Sequence, residues 1–341
     1  MKKSEALSEI QRTAELILTN SGEPAVRIRL LRDILKRPDD DPEIVEAKEQ
    51  LEDTEWVRLL TENQNQRGDF QQRLKPELRS DVFSTSLGIA LDIGLATEHP
   101  VVARAKRFAE RCLSDGVLST LPQMNPRSPG DPDLSVFERD LASMLAKVDR
   151  ESPLVEEVFG KWMIIAGVAL SSGEYDKEAQ KEIHEDIFGP EYNLGHSIRY
   201  PEWVLAGAAG LLAARADLLD PIDDEAYTEW LISDRSDIMK GIERLLSPTC
   251  KPSHKSLHAV RILLNAENLY GFRNWGVYIA DVADCFWQIR GDDGFWNLGS
   301  ACANPYYTTR IRLSGNWRGK RGAHDWTTRI LLLLQRYYED V

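Results

Sequence analysis

The densest concentration of chemically capable side chains in this 341-residue chain is a basic run near its end. Arg310, Arg312, Arg318, Lys320 and Arg321 follow one another without an intervening acid, and Trp317, Tyr306 and Tyr307 lie among or close to them. A guanidinium fork meets phosphate oxygens bidentately, so the run suits an anionic head group such as a diphosphate. The plainer reading is a solvated loop, or a patch that neutralises acidic neighbours. Asp281, Cys285 and His324 form a second set. The first two are four apart and share a helix face. With the histidine they make a three-ligand zinc site with one open position, or else a buried thiol and a helix-capping His–Asp pair. His254 and His258 also stand at i, i+4, with Cys250 just upstream, but no third ligand is evident. Neither a Ser/His/Asp signature nor a glycine-rich phosphate loop occurs.

Charge bounds the partners. The chain carries a formal −13, which argues against nucleic acid, whose phosphates need a basic footprint, and against an electrostatic membrane anchor. Apolar residues make up 42% and charged residues 28%, ordinary for a globular core. The longest apolar run, Trp203 to Ala214, is too short to span a bilayer. The N-terminus has no apolar stretch of secretory type. Cys112, Cys250, Cys285 and Cys302 are scattered without paired spacing, which fits reduced thiols in a cytoplasmic protein.

The elements that must position these groups are helices. Apolar spacing of three and four recurs throughout, as in Val26, Leu30, Ile34 and in Leu141, Met144, Leu145, Val148, while sustained alternation is nearly absent. Apolar stretches lead through short polar loops to Pro42, Pro100 and Pro153, which lie 58 and then 53 residues apart (42 to 100, 100 to 153). Proline fits the first turn of a helix, where its missing N–H costs nothing. A drifted copy leads to Pro221, and a fifth pairs the helix around His258–Asn265 with that around Trp275–Ile289. The last helix, Asp325 to Tyr338, is left to pair with the N-terminal one. Together these predict an all-α chain, residues 1–341 as a single α/α toroid of about five to six helix pairs.

Two segments carry more than helix pattern. Gln288-Ile289-Arg290-Gly291-Asp292-Asp293-Gly294-Phe295-Trp296 has the form Q-x5-G-x-W, and Gln64 to Phe70 the form Q-x3-G-x-F. They resemble the QW repeat of the terpenoid cyclase and protein prenyltransferase toroid superfamily. The resemblance implies that Gln and Gly cap an outer helix and that inner helices line an apolar cavity suited to an isoprenoid. It also implies cation-stabilising aromatics, for which Trp275, Trp317 and Trp326 are the candidates.

The superfamily's reactive motifs are absent. In place of a proton-donating DxDD, the nearest approach is Asp131-Pro132-Asp133, so Asp131 and Asp133 are the candidate acids, with Asp133 otherwise a helix N-cap. In place of a magnesium-binding DDxxD stand Asp223-Asp224-Glu225 and Asp39-Asp40-Asp41, which read as solvated helix starts. Zinc and magnesium are both open as cofactors. The expected function is an enzyme handling an isoprenoid, prenyl diphosphate or similar apolar substrate by cyclisation or prenyl transfer. The alternative is a toroid without chemistry that binds a hydrophobic ligand or a partner protein.

Overall fold

The computed structural model describes residues 2–70, 82–114, 134–189, 201–232, 237–299, 313–314 and 320–340. Among these residues the chain is helical throughout, with isolated bridges (Gln64 to Phe70, Tyr270 to Phe272) and no strand. Two compact units emerge. Unit 1 comprises Met1–Arg104, Asp237–Ala266 and Gly276–Val341, and unit 2 comprises Ala105–Ser236 and Glu267–Trp275.

The helices in chain order are α1 (Lys3–Asn20), α2 (Pro24–Arg29), α3 (Pro42–Glu52), α4 (Glu55–Asn63), α5 (Val82–Asp92), α6 (Pro100–Ser114), α7 (Leu134–Ala146), α8 (Pro153–Leu170) and α9 (Lys177–Phe188). They continue with α10 (Pro201–Ala206), α11 (Ala209–Ala214), α12 (Pro221–Ile232), α13 (Asp237–Leu246), α14 (Pro252–Leu269), α15 (Trp275–Gln288) and α16 (Arg321–Asp340). Each proline singled out in the sequence opens a helix: Pro42, Pro100, Pro153 and Pro221. At α3 the signal is reinforced by Asp41, whose carboxylate accepts the Glu43 N–H at 2.9 Å.

Unit 1 is built on α16. Its residues from His324 to Gln335 are buried all round, which a helix tolerates only if its polar side chains find partners. Asp325 accepts the N–H groups of Leu313 and Ser314 and the Ser314 hydroxyl. Thr327 Oγ1 accepts the Trp296 N–H at 3.0 Å, and Arg329 donates to Asp92 at 2.7 Å. α1 packs along α16, as expected of the first and last helices. α2 runs on into a π turn, Leu30–Ile34, closed by the Leu35 N–H on Leu30 O at 2.9 Å. The turn ends at Lys36, the one non-glycine among the described residues with positive φ (52°).

Unit 2 is built on α8. Val155, Val158, Phe159, Trp162, Ile165, Ala166 and Ala169 follow the three-and-four spacing and are buried against α7, α9, α11 and α12. Arg139 on α7 is nearly buried and acts as a hub. It donates to Val204 O at 2.7 Å and to Asp140, and its guanidinium lies 5.4 Å from the Trp162 ring. A side chain at Gly207 would meet Arg139 Nη1 at 2.5 Å, so any larger residue there must displace the guanidinium of this hub.

Candidate functional site

Unit 2 holds an apolar cleft. Where α8 turns toward α12, its lining residues Ala166 and Gly167 are small, and a Cβ at Gly167 would meet nothing within 4 Å. The resulting cavity of about 350 Å³ runs between Met163 and Leu170 on one side and Leu212, Leu219, Ile222 and Ala226 on the other. Its size falls within the range of roughly 300–1,000 Å³ usual for small-molecule sites.

Tyr227 also lines the cleft. Its hydroxyl donates to Leu205 O at 2.7 Å, and burial pushes its pKa far above the ordinary phenol value. Behind it, Trp230 and Phe272 lie 5.8 and 5.7 Å from its ring, and Tyr175 stacks on Trp230 at 5.3 Å. At the rim Ile222 is 76% exposed, a large apolar side chain standing in water. The one carboxylate lining the cleft among the described residues is the exposed Asp223. The arrangement supplies a greasy slot with a polar lip and, among the described residues, no facing pair of titratable groups.

The adjacent Asp224 departs from the sequence reading. It was expected in solvent with Asp223 and Glu225, yet it is fully buried, because one helical step turns it about 100° toward the core. Its Oδ2 accepts the Arg273 N–H at 3.3 Å, and burial raises its pKa above the usual carboxylate range. Deeper in the unit, Ser135 Oγ and His184 Nε2 lie 2.9 Å apart under the rings of Trp162 and Phe188. Both are at most 2% exposed, so this contact, which the sequence did not reveal, ties α7 to α9 away from solvent.

Asp131, Asp133, Arg310, Arg312, Trp317 and Arg318 lie outside the described residues. Trp275 is buried in unit 2 and meets Tyr270 edge-on at 5.2 Å. Trp326 is buried in unit 1 and donates its indole N–H to Gly299 O at 2.9 Å.

The residues of the expected zinc set do not gather into one cluster. Asp281 is exposed on α15 while Cys285 is buried, and burial pushes its thiol up to about 12. A neutral thiol is a poor metal ligand. The i, i+4 spacing leaves the two residues about 6 Å apart along the axis and about 40° around it, enough to put one outside and one inside. His324 is buried against Phe295, with ring centroids 5.8 Å apart. Among the described residues no three His, Cys, Asp or Glu side chains come together as a metal site.

The two Q-x-G segments also differ from expectation. Gln288 is exposed and makes no side-chain hydrogen bond among the described residues. Arg290 holds that segment instead. It donates to Gly294 O and Thr13 Oγ1, pairs with Glu9 at 2.6 Å and lies over both Trp287 and Trp296. The second glutamine, Gln64, is buried and donates to Gly68 O and Val101 O, at 3.1 and 2.8 Å. No helix among the described residues is long and apolar enough to cross a membrane. Comparison with known protein families, curated proteins and solved structures finds no match for this chain.

Proposed function

We propose that this protein binds an apolar molecule of isoprenoid type in the cleft between α8 and α12. The observation that supports this reading is the cleft itself, with small residues on α8 opposite a branched aliphatic wall and an exposed isoleucine at the mouth. Burying an isoprenyl chain there gains roughly 25 cal/mol per Å² of apolar surface removed from water, without any polar group to satisfy. The absence of facing titratable groups around the cleft among the described residues favours holding the ligand over transforming it. From the helix-pair periodicity of the sequence we further propose that the helices close into an α/α toroid.

Farnesol, titrated against the protein and followed by tryptophan fluorescence, tests the binding. Gly167→Leu is the decisive variant. Its side chain enters open space, the substitution favours helix, and the cleft is filled. Saturable binding by the wild type that the variant loses supports the reading. No binding, or binding that survives in a folded variant, overturns it.

The basic run from Arg310 to Arg321 favours a second reading, in which a prenyl diphosphate is the ligand. Geranyl diphosphate or pyrophosphate should then raise the melting temperature by mass action. Alanine at Arg310, Arg312 and Arg318 should abolish that rise.

A further inference from the structure

From Arg244 to Ala266 the chain contains no acidic residue, although the protein as a whole is at −13. The same interval carries Arg244, Lys251, His254, Lys255, His258 and Arg261. The fold of unit 1 gathers these onto one face. α14 buries Ala259, Val260, Ile262, Leu263 and Ala266 inward and leaves His254 and Lys255 in solvent, with His258 and Arg261 half-buried beside them. Gly241 on α13 permits a close approach, since a Cβ there would lie 2.9 Å from Ile262 Cγ1. One turn farther along α13, Arg244 acts electrostatically on His258, and Lys240 follows the same α13 face at i, i−4.

Lys240, Arg244, Lys251 and Lys255 form no ion pair among the described residues. Burial, and then the charges of Arg244, Arg261 and His254, hold the pKa of His258 below the ordinary imidazole value. His258 Nδ1 is buried with no hydrogen-bond partner, and the His254 ring stands edge-on to it at 6.5 Å. Like charge disfavours a metal cation in such surroundings. A compact anion is what they lack.

We propose that the α13–α14 face is a binding site for a phosphate-class anion of two or more charges. The guanidinium of Arg244 and the rings of His254 and His258 grip it, while Lys251 and Lys255 add long-range attraction. Guanidinium and imidazolium donors match tetrahedral oxyanions, and a half-buried ring strengthens the contact by excluding water. The site uses none of the residues that line the apolar cleft and none of the run from Arg310 to Arg321. Binding is proton-coupled. An anion beside His258 removes the disadvantage of charging the ring, so His258 takes up a proton as the anion arrives.

The test is a histidine-resolved NMR titration of the wild-type chain with inorganic phosphate, against sodium chloride at equal ionic strength. His258→Asn identifies the resonance. The expected result is saturable movement of the His258 ring signal with a raised apparent pKa, each unit of which means a roughly tenfold tighter hold by the protonated ring. Arg244→Gln should lose it, whereas Arg310→Ala should retain it. Equal responses to phosphate and chloride, or an unmoved His258, overturn the proposal. A response confined to an oligonucleotide or to anionic lipid vesicles overturns it as well, in favour of a macromolecular partner.

Discussion

Asp224 is fully buried on α12, while Asp223, one residue earlier, stands at the cleft rim. Its pKa is raised because burial disfavours the charged carboxylate, so the fold prefers its protonated form. That preference stabilises below the unfolded carboxyl pKa and is lost as pH rises through the higher folded value. Asp224→Asn keeps an acceptor for the Arg273 N–H and removes the buried charge. It should therefore melt at the same or a higher temperature at neutral pH, with the advantage shrinking in acid. A drop of several degrees at neutral pH would show that the charge stabilises the site.

Glu9 behaves in the opposite sense. The Arg12 guanidinium, and then Arg290, hold its carboxyl down at about 2 against an ordinary 4.5. Its contribution is present above the unfolded pKa and is lost as pH falls from about 4.5 toward about 2. Glu9→Gln should flatten the acid limb of the melting profile in that window, and an unchanged limb would refute the coupling. Arg290 and Arg139 were the residues hardest to find in the sequence. An arginine reads as surface by type, and only the tryptophans Trp287 and Trp296 flanking Arg290 hint that its charge faces rings.

The starts and faces of helices were legible because they depend on local chemistry. Proline at the first turn and apolar spacing act within a few residues, so Pro42, Pro100, Pro153 and Pro221 mark helices without tertiary help. The π turn after α2 was not legible, since Leu30 to Ile34 satisfies an ordinary helical pattern equally well. The ligand-like spacing of Asp281 and Cys285 misled for the same reason. Periodicity says that two residues share a face and leaves open where on that face solvent begins. Gln64 was the weaker of two motif copies and is the buried, hydrogen-bonded one, because neighbouring Val101 and Arg104 supply its partners.

Trp296 is fully buried, donates to Phe286 O at 2.6 Å and packs on Trp287 at 5.6 Å. Trp296→Ala should accordingly cost about 3–5 kcal/mol in chemical denaturation. A loss below about 1 kcal/mol would mean that the C-terminal end of α15 and the segment after it are not anchored there.

At the scale of the molecule, the sequence indicated an all-helical chain with apolar interiors and a basic run at odds with its net charge. It could not locate the cleft between α8 and α12, which depends on Ala166 and Gly167 standing opposite Leu212, Leu219 and Ile222 across many intervening residues. The central claim is that this cleft takes an apolar ligand out of water. Calorimetric titration of farnesol across a range of temperatures tests it most directly, because burial of apolar surface carries a negative heat-capacity change whatever the sign of the enthalpy. The account predicts saturable one-site binding with a clearly negative heat-capacity change, both lost in Gly167→Leu. Heats that never saturate, or a heat-capacity change indistinguishable from zero, would contradict it.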